Sequence, residues 1–242
     1  MQNINTGKRG TLYLLPVPLG NTQPSCVLPA SVLARARLLA HFIAENAKSA
    51  RAFLKSLPNE IPLQQIDIQE LNEHTPSIRL PELLAPLLAG SDLGLVSEAG
   101  CPAVADPGAA LVALAHDHGV RVAPLIGPSA ILLALMGSGL SGQNFSFHGY
   151  LPVREQARLQ KLRELEKASR QEQRTQIFIE TPYRNHQMLD TLRQACAPGT
   201  RVCVACDLTL DSETIITRSC ADWRRQDLPS IDRRPAVFLL QA

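Results

Sequence analysis

The residues of this sequence with the clearest chemical use stand between Ser97 and Gly108. Ser97-Glu-Ala-Gly-Cys-Pro102 is a loop of small side chains that follows the apolar run Leu93–Val96. Asp106-Pro-Gly108 then reads as a helix start, with Asp106 as N-cap and Pro107 at the first helical position. A strand that opens into small residues and a helix N-terminus is where open α/β sheets bind ligands, beyond the carboxyl ends of their strands. Small side chains let a ligand rest directly on main-chain N–H and C=O groups. The same stretch also reads as an ordinary strand–helix connection with turn chemistry.

Other motifs carry less. Gly137-Ser-Gly139-Leu-Ser-Gly142 spells G-x-G-x-x-G, but it trails a helix and opens a loop, whereas the dinucleotide fingerprint follows a strand and opens a helix. It reads as a linker between domains. No P-loop signature occurs. Cys203-Val-Ala-Cys206 lies in a strand-like context with no second pair or histidine to complete a metal site, so a structural role and no metal are expected. His116 and His118 are two apart on a helix and do not share a face. His41 reads as strand packing, and His74 as either exposed or near an acceptor. Trp223 beside Arg224 and Arg225 reads as a base stacker or a surface aromatic.

The elements that must position these residues alternate strand and helix. Strands are expected at Thr11–Val17, Leu38–Ala44, Ile66–Glu70, Leu93–Val96 and Val120–Leu125. Helices are expected at Pro29–Ala36, from Glu45 to Leu57, at Pro81–Ala89, from Asp106 to Gly119 and from Ser129 to Met136. Such alternation argues for a largely parallel sheet. The second half reads as strand Phe145–Pro152, a charged helix Arg154–Gln173 with Leu159, Leu162 and Leu165 on one face, strand Gln176–Glu180, and a helix through Met188 and Leu192. Strands Arg201–Asp207, Glu213–Arg218 and Ala236–Leu240 complete a mixed α/β domain.

Length and composition fit a soluble globular protein, with 242 residues, 45% apolar and 19% charged. Net charge is +2, with fifteen Lys/Arg against twelve Asp/Glu in residues 151–242 and nine against ten before them. Totals this small make no electrostatic case for nucleic acid or membrane, and leave room only for a local anion-binding face. The polar stretch Met1–Gly10 reads as carrying no leader, no apolar run approaches a membrane span, and the six cysteines read as reduced core residues of a cytoplasmic protein.

Taken together, the loops resemble the 16S ribosomal RNA (cytidine-2′-O)-methyltransferases of the tetrapyrrole-methylase-like superfamily. The residues that carry the resemblance run from Gly10 to about Glu213. They are Gly10-Thr-Leu-Tyr with Pro18-Leu-Gly-Asn21, Ser97-Glu-Ala-Gly-Cys-Pro102 with Asp106-Pro-Gly108, and Gly127-Pro-Ser-Ala130. Ser138-Gly-Leu140, Phe145-x-Phe-x-Gly-Tyr-Leu-Pro152 and Glu180-Thr-Pro-Tyr-Arg184 follow in order.

The resemblance implies two α/β domains, 1–140 and 141–242, with S-adenosylmethionine in a cleft between them, and a homodimer. It implies cofactor contacts from Pro18, Gly20, Ser97, Glu98, Ala99, Gly100, Cys101, Ala103, Asp106, Ser129 and Ala130, with Tyr183 and Leu208 from the second domain. The implied acceptor is a 2′-hydroxyl of ribosomal RNA. A hydroxyl needs a base or a polarising hydrogen bond before it attacks. Glu45, Glu98, Glu180 and Asp207 are candidate carboxylates, and Lys48 and Arg184 candidate phosphate partners. Glu45, Lys48, Glu180 and Arg184 form the expected catalytic set, with a structural ion pair as the other reading of Glu180 and Arg184.

The sequence departs from the family pattern mainly at charged positions. E-D-T-R appears as Glu45-Asn-Ala-Lys48, S-D-A-G-T-P as Ser97-Glu-Ala-Gly-Cys-Pro102, and E-L-T-K as Asp207-Leu-Thr-Leu210. Arg234-Pro-Ala236 stands where K-G-E closes the family's motif, and Leu71-Asn-Glu-His-Thr75 replaces L-H-E-H-N. Such changes leave two alternatives beside ribosomal RNA methylation: a different RNA or small-molecule acceptor, or a weakened protein that still binds S-adenosylmethionine.

Overall fold

The computed structural model describes residues 8–58 and 60–242, so most of the polar N-terminal stretch read as leaderless lies outside the described residues. The chain divides into two compact units, one ending at Pro128 and one running from Ser129 to Ala242.

The first unit is built on a parallel five-stranded sheet in the order β3-β2-β4-β1-β5. Its strands are β1 (Thr11–Leu15), β2 (His41–Ala44), β3 (Asp67–Glu70), β4 (Leu93–Val96) and β5 (Arg121–Pro124). All four residues of β4 are buried, as expected of a central parallel strand covered on both faces. Gly94 is required there, because a Cβ would lie 2.8 Å from Cε1 of Phe42.

The helices α1 (Pro24–Val27), α2 (Ala30–Arg37), α3 (Ala47–Lys55), α4 (Leu80–Leu88) and α5 (Ala109–Asp117) fill the connections. Val32 and Leu33 of α2 and Leu54 of α3 share one core cluster with Phe42, while Leu84 of α4 and Leu111 of α5 share another with Leu12 and Ile43. The chain therefore leaves β1 toward one layer of helices and leaves β4 toward the other. Between β1 and β4 the winding reverses, and this is where a doubly wound sheet opens a crevice at its carboxyl edge.

The second unit has the strand order β6-β7-β10-β8-β9. It comprises β6 (Phe145–Tyr150), β7 (Thr175–Glu180), β8 (Arg201–Cys206), β9 (Thr214–Ser219) and β10 (Ala236–Gln241), with helices α6 (Ala130–Ser138), α7 (Glu155–Glu172), α8 (Asn185–Ala195) and α9 (Cys220–Arg225). Only β6 and β7 pair in parallel; the other pairings are antiparallel. Phe178 and Phe238 stack across neighbouring strands at 5.9 Å.

Several local expectations change. The boundary expected after residue 140 lies upstream, because α6 packs on β8, β9 and β10. The G-x-G-x-x-G stretch is the C-terminus of α6 rather than a linker. Gly139 caps the helix at φ +66°, and a Cβ on Gly137 would meet Ile215 at 2.4 Å. Trp223 is neither a surface aromatic nor free to stack a base. It is wholly buried, its Nε1–H donates to the Val202 carbonyl at 2.9 Å, and the Arg218 guanidinium covers its ring at 4.8 Å. On α7, Arg158 is buried beside the expected leucines and donates to Thr191 Oγ1 and to the Val153 carbonyl. All six cysteines are free; four are buried, Cys101 is half-buried and Cys26 is exposed, so the core reading holds for four. No helix of the described residues is long and apolar enough to cross a membrane.

Candidate functional site

The loop after β1 and the loop after β4 meet at the carboxyl edge of the first sheet. The Val17 N–H donates to the Gly100 carbonyl at 3.0 Å, and the Gly100 N–H donates back to Val17 at 3.1 Å. The Ser97 hydroxyl adds a bond to the same Gly100 carbonyl at 3.1 Å, and the Cys101 thiol donates to the Pro128 carbonyl at 3.4 Å. Gly100 sits at φ +75°, where a side chain is strained, and a Cβ would lie 3.0 Å from Leu19. Both polar groups of Gly100 are thus engaged within the protein. Its part is to lock the two loops together, not to offer its main chain to a ligand as expected.

The open main-chain donors are one step earlier. The N–H groups of Glu98 and Ala99 take no hydrogen bond among the described residues. Further along, Ala103 and Ala105 hold left-handed backbone at φ +64° and +59°. Non-glycine residues held there carry strain of about 1 kcal/mol each or more, and such strain gathers at functional sites. A cavity of about 280 Å³ opens against this edge, lined among others by Pro18, Gly20, Ser49, Phe53, Ser97 and Glu98.

Carboxylates converge on the same edge. Asp106 is half-buried, and its pKa is pushed up to about 6 by burial first and then by the charge of Glu45, with Glu98 adding and the Gly108 N–H opposing. Glu45 is also raised, by burial, then Glu98, then Glu73. Glu98 accepts from the Ser49 hydroxyl at 2.9 Å. The charges of Glu45 and Glu98 thus help to raise Asp106, and Glu98 helps to raise Glu45, while none of the three is in an ion pair among the described residues. Lys48 is exposed, and its ammonium has no ion pair among the described residues.

Two details differ from expectation. Helix α5 begins at Ala109 with Gly108 as its N-cap, so Asp106 is not the cap; its carboxylate instead accepts the Gly108 N–H and closes the loop. Asn46, the amide standing where the family pattern has an acid, caps α3 by accepting from the N–H groups of Lys48 at 2.8 Å and Ser49 at 3.3 Å. Asn and Asp cap about equally well, so that departure keeps the local chemistry. Glu73 and Ser49 belong to this cluster and were missed from sequence. Both sit on elements far from Glu98 along the chain, and nothing local marks them.

The second-unit candidates are arranged otherwise. Glu180 is almost fully buried, and one of its oxygens, Oε1, accepts from the Thr181 N–H at 2.7 Å and from Arg184 Nη2 at 2.7 Å and Nε at 3.0 Å. The expected catalytic pair is therefore an internal ion pair that pins the β7–α8 turn. Asp207 is likewise engaged, by Arg234 Nε at 2.8 Å and the Ser212 hydroxyl at 2.7 Å. Tyr183 is exposed with the Arg184 guanidinium 5.3 Å over its ring, and Leu208 is buried. Ser129 caps α6, accepting from the Leu132 N–H at 3.4 Å, and Ala130 opens that helix.

Comparisons with known proteins agree with this architecture. A family profile described as tetrapyrrole (corrin/porphyrin) methylases matches residues 11–222. The ribosomal RNA small subunit methyltransferase I of Vibrio cholerae is 36% identical over 204 residues, covering 84% of this chain and 67% of that protein. The protein of the same name from Xylella fastidiosa is 32% identical over 231 residues, covering 96% of this chain and 80% of its own length. The solved uroporphyrin-III C-methyltransferase of Thermus thermophilus, complexed with S-adenyl homocysteine, superposes with a TM-score of 0.57 at 16% identity. That match covers 96% of this chain and 97% of the other.

Proposed function

The chain belongs to the tetrapyrrole (corrin/porphyrin) methylase family, and on that premise we propose that it transfers a methyl group from S-adenosylmethionine to a ribose 2′-hydroxyl of small-subunit ribosomal RNA, at a cytidine. The observation that carries this reading is the uncompensated trio Glu45, Glu98 and Asp106 at the strand ends of the first sheet. It stands in a chain whose relatives are named as ribosomal RNA methyltransferases.

The residues present suit the donor. A sulfonium with an ammonium tail brings positive charge, and positive charge beside three acids relieves the repulsion that lifts Glu45 and Asp106. The free N–H groups of Glu98 and Ala99, with the cavity beside Pro18, Gly20 and Ser97, suit its polar ends. These five residues would hold it. When bound, S-adenosylmethionine supplies a methyl carbon already activated on sulfur, so the acceptor oxygen forms its bond to carbon as the C–S electron pair leaves with sulfur.

What remains for the chain is alignment and removal of one proton. Asp106 takes that proton. It is ionised at neutral pH, and its raised pKa makes it a stronger acceptor than an ordinary carboxylate. Glu45 keeps Asp106 raised through its neighbouring charge. Lys48, exposed at the start of α3, is free to meet acceptor phosphates.

Two measurements test the reading. Calorimetry with S-adenosylmethionine should give saturable binding. Labelled methyl should pass to small-subunit RNA from cells lacking this gene, and not to RNA from cells that have it. Binding without transfer to either RNA overturns the acceptor assignment, and absence of binding overturns the whole reading.

A further inference from the structure

Adjoining the carboxyl-edge cavity, and sharing Asn21, Thr22 and Ser56 with its lining, the first unit holds a second and larger cavity of about 670 Å³. Arg37, the last residue of α2, lines it. Its Nε is buried and has no hydrogen-bond partner. Among the described residues that line it, none is acidic. The other polar side chains that line the cavity are the neutral amides and hydroxyls of Asn21, Thr22, Gln23, Ser25 and Ser56. A guanidinium is a fixed fork of N–H donors whose best match is a two-oxygen anion, and a buried donor without an acceptor marks where that anion belongs.

We propose that this cavity is a phosphate subsite, in which Arg37 holds a phosphodiester of the acceptor RNA strand beside the nucleotide that is methylated. The inference rests on the RNA reading above. S-adenosylmethionine carries no phosphate, and its one anionic group is the methionine carboxylate; a guanidinium that held that carboxylate would cost donor affinity when removed, which the experiment below reads separately from RNA affinity. A polynucleotide with one ribose at the carboxyl edge must continue in some direction, and the shared residues Asn21, Thr22 and Ser56 make this cavity the adjoining one. A cation in the last turn of α2 also complements the helix dipole. That role requires only proximity to the final carbonyls and leaves the buried Nε without an acceptor.

The experiment uses the full chain saturated with S-adenosylhomocysteine and a fluorescein-labelled, cytidine-containing single-stranded RNA, titrated across a range of salt. Arg37→Gln is expected to weaken RNA binding several-fold and to flatten the plot of log affinity against log salt by about 0.7, the slope of one lost phosphate contact on a single strand. S-adenosylmethionine affinity should stay unchanged; a matching loss of donor affinity in Arg37→Gln would assign the guanidinium to the donor's carboxylate and overturn the subsite. Arg37→Lys should recover the slope but only part of the affinity, because an ammonium keeps the charge and loses the fork. Wild-type RNA affinity and slope in Arg37→Gln would overturn the subsite while leaving the RNA reading intact. A wild type that takes no RNA overturns both. Free cytidine monophosphate binding as tightly as the oligonucleotide, with the same loss in Arg37→Gln, would make the cavity a mononucleotide site and overturn the strand assignment.

Discussion

Carboxylates at the strand ends of the two sheets are treated in opposite ways. In the first unit Glu45 and Asp106 are raised by burial and by neighbouring acids, Glu98 among them, and none of the three is in an ion pair among the described residues. In the second, Glu180 and Asp207 each receive an arginine, Arg184 and Arg234, at hydrogen-bond distance. The paired acids of the second unit hold its turns together, while the unpaired acids of the first are the set that the proposed function assigns to a charge from outside.

The sharpest way to break this contrast is Asp106→Asn. As the proton acceptor, Asp106 should account for about 10²- to 10⁴-fold of the transfer rate, with donor affinity changed far less. Single-turnover methyl transfer beside calorimetry checks this. Equal loss in both would make Asp106 a donor-binding group. The wild-type kcat/KM, which reports the free chain, should also fall as pH drops through about 6, where Asp106 takes up its proton, and that acid limb should vanish in the variant.

Next in size is the second unit. Arg184→Ala leaves the buried Glu180 carboxylate without its cation, at a cost of about 3 kcal/mol or more, while Glu180→Gln leaves only the partly exposed Arg184 and should cost less. Thermal or denaturant unfolding should show this loss. A rate defect at unchanged stability would return these residues to the catalytic set.

Smaller still is Glu45→Gln. Removing the second-largest cause of Asp106's raised pKa should move the acid limb to lower pH and cut the rate by about tenfold or less. A limb that stays at about 6 would mean burial alone holds Asp106 there.

The smallest effect has the opposite sign. Because the folded pKa of Asp106 is raised from 3.8 to about 6, the folded state binds that proton more tightly than the unfolded one. Stability therefore declines as pH rises from about 4 to about 6, and the penalty is complete above that window. Solvent screening of a half-exposed group reduces it to about 1 kcal/mol. Asp106→Asn should stabilise the fold by about that much at pH 7.5 and by nothing below pH 4, measured by denaturant unfolding at both values.

Much of the first unit was legible because its signals are local. Apolar runs such as Leu93–Val96, the stop at Gly119 and the alternation of strand and helix depend on neighbours in sequence, and the parallel sheet follows from them. The features that were not legible come from partners far along the chain. Trp223 is buried through Val202 and Arg218, on β8 and β9. Helix α6 is apolar almost all round, so its pattern could not say which sheet it covers. Small residues and acids pointed to the β1 and β4 loops, which the structure brings together, yet not to their local contacts. Gly100 proved a lock rather than a cradle, and Asp106 a loop-closing acid rather than a helix cap.

That lock has a mechanical consequence. With Val17 and Gly100 bonded in both directions and Ser97 tied to the same carbonyl, the turns after β1 and β4 are riveted into a single plate. A molecule that stiffens either turn stiffens both, so much of the ordering needed for capture is already present in the free chain. Slackening the rivet, for instance with Gly100→Ala, should therefore be felt first as faster escape of whatever is held there.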